Sequence, residues 1–471
     1  MMNSIVLVNP PYSFWSPEKN YLRPFIGTLP SLGLLTLAGV LRKRGYSVKI
    51  VEAASLGLSL PQAVGHILQE RPKYIGLSCT TASVDNAARI ARAIKEKNPE
   101  IPTFVGGPHI TALPTETFRR YPDFDYGILG EGEIAFGDLL ESIEDKKDLS
   151  QVESAVFRDG EEVRANSRRR FIENLDEIPF PAYDLLPSFP RAFRPPFLNY
   201  PKGPAASLTS SRGCPQACTF CDRSVFGNRY RYFSEDYLLE LISLLRQKYG
   251  IQHLIFADDQ FAASNPRLIH LCEKLARENL MIQWNCDARV DSVSPDLLKL
   301  MKRAGCWMIS YGIESGSQEV LDQIQKGIKL DRVEQALRWT QEAGIRAKGL
   351  FMIGYPQETE RTLDQTLSFI RRCPLDEINL SFLTPYPGTE LYRQVKGSPD
   401  FVEDWKRMNA LNCLLKPRAL SCESLEKAYG QFIRQFYMRP GITFSYLGLL
   451  LRSPENCARL AAGLYRWIFR R

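Results

Sequence analysis

From Ser4 to Leu129 short apolar runs alternate with longer stretches in which apolar residues recur every three or four positions. The short runs predict strands at Ser4–Asn9, Ser47–Glu52, Tyr74–Ser78, Thr103–Gly106 and Tyr126–Leu129. The longer stretches predict helices near Leu32–Arg44, Leu60–Glu70 and Ala82–Lys97. Alternation of this kind implies a doubly wound parallel α/β sheet, with ligands at the carboxyl ends of the strands. It defines a first domain over residues 1–145. Residues 146–200 break the pattern with a hairpin signal at Asp159-Gly160 and six prolines between Pro179 and Pro196, and read as a connector. The alternation resumes over 201–395, with strands at Ser207–Ser211, His253–Asp258, Ile282–Ala288, Trp307–Ile313, Arg346–Ile353 and Glu377–Thr384. Six strand-helix units make a (β/α)6 part-barrel whose active site belongs at the carboxyl ends of its strands. Residues 396–471 form a helical C-terminal region, clearest at Glu423–Tyr437 and Glu455–Arg471.

At 471 residues the chain exceeds what one core ordinarily serves. A hydrophobic fraction of 44% and a charged fraction of 24% fit a globular protein, and no apolar run reaches the roughly 18 residues of a membrane span. The net charge of +7 is gathered at one end: from Arg434 to Arg471 seven arginines face one acid, Glu455. A basic tail on a balanced body argues against a nucleic-acid partner. Eleven cysteines, an odd number, and an opening without a signal peptide point to a cytoplasmic, reduced protein.

Three of those cysteines carry the chemistry. Cys214, Cys218 and Cys221 stand at C-x3-C-x2-C spacing just after the first barrel strand. Three thiolates can hold three irons of a cubane and leave the fourth open. A zinc site would need a second cysteine or histidine half, and none follows. Cys79, Cys272, Cys286, Cys306, Cys373, Cys413, Cys422 and Cys457 are scattered singly and are expected as small core residues. With Phe220 before the last cysteine, the motif resembles that of the radical S-adenosylmethionine (SAM) superfamily. The resemblance implies a 4Fe-4S cluster that binds SAM at its open iron and cleaves it to a 5′-deoxyadenosyl radical. A low-potential electron donor such as flavodoxin or ferredoxin is implied with it. Gly312-Ile313-Glu314-Ser315-Gly316 resembles the element that holds the SAM ribose, which assigns that role to Glu314. Arg289 is the candidate for the SAM carboxylate, since a guanidinium forks onto carboxylates. Main-chain groups at Phe220 and near Gly354 would flank the adenine. Asp258 and Asp259 are left open between SAM, substrate and a helix cap.

The strand ends of the first domain read Asn9-Pro10-Pro11, Ser78-Cys79-Thr80-Thr81, Gly106-Gly107-Pro108-His109 and Gly130-Glu131-Gly132-Glu133. In that order they resemble the cobalamin-binding domain that precedes the barrel in one class of radical SAM proteins. A nucleotide-binding fold without cobalamin is the alternative. The resemblance implies a corrinoid held by Asn9, Ser78, Thr80, Gly106, Gly107, His109 and Glu131. Domains that ligate cobalt through histidine carry Asp-x-His-x-x-Gly after the first strand, whereas this chain has Asn9-Pro10-Pro11-Tyr12. His109 is accordingly expected to line the pocket and not to bind cobalt.

The whole order resembles the cobalamin-dependent radical SAM family that contains the anaerobic magnesium-protoporphyrin monomethyl ester cyclase and many C-methyltransferases. That resemblance implies methylation of an unactivated carbon, with cyclisation or rearrangement as the alternative. Methylthiotransferases of tRNA carry three more cysteines in the preceding domain, where this chain has only Cys79, and a corrinoid carrier would not need the barrel motifs. In the last helix Leu460, Leu464, Trp467 and Ile468 share a face opposite Arg459, Arg466 and Arg470. Such a helix suits either peripheral membrane contact or packing on the protein's own core. On a membrane, the substrate would be small and hydrophobic or lipid-like.

Overall fold

The computed structural model describes residues 4–12, 27–167, 171–197, 199–278, 280–451 and 456–462. Strands β1 (Ser4–Asn9), β2 (Ser47–Glu52), β3 (Tyr74–Ser78), β4 (Thr103–Gly106), β5 (Tyr126–Ile128), β6 (Ala155–Asp159) and β7 (Glu162–Ala165) make one sheet in the order β2-β1-β3-β4-β5-β6-β7. The first five are parallel, and their central runs, such as Ile5, Val6, Leu7 and Val8, are fully buried because helices cover both faces. Helices Leu32–Lys43 and Gly132–Glu144 pack together on one side, and Leu60–Gln69 and Val84–Lys97 on the other. The hairpin expected in the connector forms, and β6 pairs antiparallel with β5, so it extends this sheet. The proline-rich stretch then bridges to the barrel: Ala182 N–H donates to Leu35 O, and the Tyr183 hydroxyl donates to Ser207 O.

The second sheet is all parallel, in the order β15-β14-β13-β12-β11-β8, from β8 (Ala205–Leu208), β11 (His253–Phe256), β12 (Gln283–Ala288), β13 (Cys306–Glu314), β14 (Arg346–Ile353) and β15 (Glu377–Phe382). This is the expected six-stranded part-barrel. Between β8 and β11 a small antiparallel ribbon, β9 (Ser211–Arg212) with β10 (Arg231–Tyr232), closes the two ends of the cysteine loop. Gly213, next to that ribbon, has φ +82°, and a Cβ there would meet Arg229 O at 2.1 Å. Only glycine fits this close turn.

Ion pairs fasten the two sheets together. Arg212 Nη1 lies 2.7 Å from Glu131, Arg231 Nη1 lies 2.8 Å from the other Glu131 oxygen, and Arg212 also reaches Glu133. All four side chains are buried. Burial acts to raise the Glu131 carboxyl, but hydrogen bonds from Arg231 and Arg212 overcome it and hold its pKa below the usual carboxylate value.

Several sequence expectations are corrected. His109 does not line a pocket: it is buried with Nδ1 3.1 Å from Thr81 Oγ1 and its ring edge-on to Trp405 at 4.4 Å, because the residues after helix Glu390–Val395 fold back over this loop. Cys413 and Cys422, expected as isolated core thiols, form a disulfide, since the bridge between Phe401 and Leu415 returns the chain to the start of helix Cys422–Tyr437. Cys457 is exposed, while Cys79, Cys272, Cys286, Cys306 and Cys373 are buried as expected. Most of the expected basic helix over Glu455–Arg471 lies outside the described residues. Within them Arg459, assigned to its polar face, is buried and donates to Pro195 O and the Tyr200 hydroxyl. It satisfies a carbonyl of the irregular connector that no regular element pairs. Among the described residues no helix is long and apolar enough to cross a membrane.

Two outcomes follow from these contacts. Glu131→Ala leaves Arg212 and Arg231 without their shared carboxylate and should cost about 3–5 kcal/mol, read as a lowered urea midpoint. Burial holds the His109 imidazole down at about 3, so the unfolded chain takes up a proton as pH falls through 6.5 while the folded chain does not. Stability should therefore drop by about 2 kcal/mol for this group between pH 7 and pH 5. His253, buried and lowered likewise, adds a similar slope. His109→Phe should shrink the fall in the urea midpoint between pH 7 and pH 5 relative to the parent, while Glu358, whose carboxyl burial raises to about 7, adds a slope of the opposite sign in both.

Candidate active site between the two sheets

The carboxyl ends of both sheets open into one cavity of about 590 Å³. The first sheet supplies Ser78, Gly106, Gly107 and Glu131 to its wall. The barrel supplies Cys214, Cys218, Cys221, Arg289 and Glu314. Nine residues named from the sequence thus meet around one space, although they come from segments up to 236 positions apart, Ser78 to Glu314.

The cysteine loop is set by carboxylates at the end of β11. Asp258 accepts from Ser210 N–H at 2.6 Å and Ser211 N–H at 3.1 Å, and Asp259 accepts from Gly213 N–H at 3.1 Å. Asp258 therefore orients the ribbon and does not cap a helix, while Asp259 also faces the cavity. Cys221 N–H donates to Cys218 O at 3.2 Å, which folds the last two thiols into one turn. A hydrogen bond from the Cys221 thiol, joined by the Lys326 and Arg289 cations, brings the Cys218 thiol down to about 6 against the effect of burial. The same contact and burial push the Cys221 thiol up, and burial raises Cys214. A cluster takes all three as thiolates, and the nearby Lys326 and Arg289 cations favour that form at Cys218.

Glu314 sits at φ +68° at the end of β13, with its carboxylate 2.7 Å from Lys326 Nζ and both side chains buried. A Cβ on Gly312 would lie 2.8 Å from both charged atoms, so the glycine makes room for the pair. Burial works against the Lys326 ammonium, but Glu314 and the Cys218 thiol overcome it and raise its pKa. Lys326 was not named from the sequence. Its signal was there, in a lone lysine between Ile324 and Ile328, both buried, in a loop and not at a strand end. Gln260, whose Oε1 lies 3.4 Å from Cys214 Sγ, was missed as well.

Other named residues are placed differently. The Arg289 fork already holds a carboxylate, with Nε 2.9 Å and Nη2 2.7 Å from Asp291, and Nη1 donates to Lys326 O. The carboxylate of Glu131 faces the two arginines behind the wall. Asn9 turns away to Glu52 at 2.8 Å, and Thr80 N–H donates to Ser83 Oγ at the start of helix Val84–Lys97. Phe220 lies 5.8 Å beneath Lys326 Nζ, and Gly354 donates its N–H to buried Glu358. Asn9, Thr80, His109, Phe220 and Gly354 are not in the cavity wall.

The donor set discriminates among metals. Among the described residues no three His, Cys, Asp or Glu side chains converge on a point that would hold a single ion. Three thiols that share a cavity without converging fit a cluster, in which each binds its own iron, better than zinc.

Residues 208–370 match the Radical SAM superfamily, and residues 21–140 match the B12 binding domain. The chain is 30% identical over 444 residues to an uncharacterized methyltransferase of Pyrococcus horikoshii, covering 93% of this chain and 95% of that protein. It is 28% identical to the anaerobic magnesium-protoporphyrin IX monomethyl ester cyclase of Rubrivivax gelatinosus, over 88% of this chain and 74% of the other. The fold superposes on the cobalamin-dependent SAM radical enzyme OxsB with a TM-score of 0.76 and 21% identity, over 98% of this chain and 72% of that one. With both domain matches in the observed order and a relative aligned along nearly its whole length, the chain belongs to the cobalamin-binding radical SAM enzyme family.

Proposed function

We propose that this enzyme methylates an unactivated carbon of a small organic substrate. The observation that carries the reading is the single cavity, which has the glycine loops of the first sheet on one wall and the three cysteines on the other. When bound, the cluster and SAM supply a 5′-deoxyadenosyl radical, and methylcobalamin supplies the methyl group. Cys214, Cys218 and Cys221 would hold the cluster, with Lys326 and Arg289 offsetting the thiolate charge. Glu314, fixed by Lys326, offers a free carboxylate oxygen for the ribose hydroxyls, as carboxylates do in dinucleotide folds. Ser78, Gly106 and Gly107 would receive the corrinoid; Asn9, Thr80, His109 and the Glu131 carboxylate are left to structural roles. An external low-potential donor such as flavodoxin or ferredoxin completes the assignment. The full-length likeness to a protein named as a methyltransferase supports methyl transfer over cyclisation.

Anaerobically purified protein supplied with cobalamin, SAM and a low-potential reductant should release 5′-deoxyadenosine and retain about one corrinoid per chain. Cys218→Ala should abolish the release and the visible absorption of the cluster while keeping the corrinoid. Corrinoid without deoxyadenosine in the parent protein would instead leave a carrier. Because His109 is turned to Thr81 and Trp405, the Co(II) resonance spectrum of the bound corrinoid should show no coupling to a histidine nitrogen.

A further inference from the structure

The lumen of the part-barrel carries a continuous polar layer. Residues directly opposite each other in neighbouring strands share a face, as do residues two apart along a strand. The register aligns Asp287 of β12 with Ser310 of β13, Ser310 with Lys348 of β14, and Lys348 with Glu377 of β15. Lys348 Nζ lies 2.6 Å from Glu377, and the Ser310 hydroxyl hydrogen-bonds to Asp287. One step toward the carboxyl ends the same face carries Leu350 and its register partner Asn379, and Leu350 lines the central cavity, as Asp287 does. The alternate positions, such as Cys286, Ile309 and Leu380, are buried and apolar. The sheet therefore turns its apolar side to the helices and its polar side to the lumen.

Charge in this space is unevenly matched. Arg212, Arg289, Lys326 and Lys348 each lie within ion-pair distance of a carboxylate. Among the described residues Asp287 has no cation at ion-pair distance. Its carboxyl is enclosed by protein, yet it keeps accessible surface, which opens into the cavity it lines; Asn379 is exposed as well. Ser310, Lys348 and Glu377 find their partners within the layer and at Asn199, away from the cavity. The Asp287 carboxylate in the cavity has one hydroxyl partner and room for a donor from a bound molecule; an apolar chain laid across it would strip it of water without replacing it.

We infer, on the basis of the function proposed above, that the substrate is a polar small molecule that seats a hydrogen-bond donor, a hydroxyl or an ammonium, on Asp287 in the barrel lumen. The expectation of a lipid-like substrate rested on a terminal helix that lies mostly outside the described residues. Asp287, the member of the layer that lines the cavity, selects against it.

The test uses the full holoenzyme with SAM and reductant, probed with deproteinised water-soluble and organic-soluble fractions of the native cells, and follows 5′-deoxyadenosine release. The water-soluble fraction should stimulate release severalfold, and the organic fraction should not. Asp287→Asn should lower that stimulation by about tenfold, the scale of a lost hydrogen bond to a charged group. Asn379→Leu, at an exposed position, should lower it in the same direction. Prior passage over a cation exchanger removes the activity if the donor is an ammonium and leaves it if the donor is a hydroxyl. Stimulation by the organic fraction, by neither fraction, or equally in the parent and both variants would overturn the inference. Absence of deoxyadenosine under every condition would instead overturn the functional reading on which it rests.

Discussion

The buried quartet of Arg212, Arg231, Glu131 and Glu133 is the constraint on which the site depends. Its two arginines lie opposite each other on the ribbon β9-β10, where like charges would repel. The glutamates of the first sheet's last loop cancel that repulsion, and the Ile172 N–H completes the Glu131 carboxylate at 3.0 Å. Charges this deep are tolerable only when paired, and each of the four has its opposite within the quartet. Arg212 directly precedes Gly213 and Cys214, so the quartet fixes the distance between the cysteine loop and the glycine loops of the other sheet.

Around that fastening the cavity divides by chemistry. Toward the first sheet it is walled by Leu7, Leu77, Phe104 and Phe136. Toward the barrel it is walled by thiols, matched ion pairs and the lumen layer. An apolar wall and small loops suit a large ring system, while fixed dipoles and charges suit a reaction in which water must be replaced by preorganised groups.

Most of the fold was legible in the chain because it is written locally. Every parallel strand of both sheets sits within a few residues of its apolar run, and the C-x3-C-x2-C spacing located the reactive loop without any tertiary information. What was not legible depends on partners distant in sequence. Nothing near Glu131 announces Arg212 or Arg231, nothing near Arg459 announces Pro195, and the Cys413–Cys422 pairing needs the strand-like return at Leu415. Strand-end loops misled in a different way. The strand ends at Ser78 and the chain then turns, so Ser78 reaches the cavity while Thr80, in a helix-starting turn, does not.

The antiparallel ribbon also changes what the cysteine loop costs to keep. With both ends of the excursion from Gly213 to Tyr230 tied by β9 and β10, the entropy of closing that loop is met by the frame and not by the ligands within it. The segment is in effect an insert on a fixed mount. Within it Thr219, tied by its backbone to Ile324 and Leu391, pins the middle, so changes outside Thr219 and the three cysteines can tune the fit of the loop without unpairing a strand of either sheet.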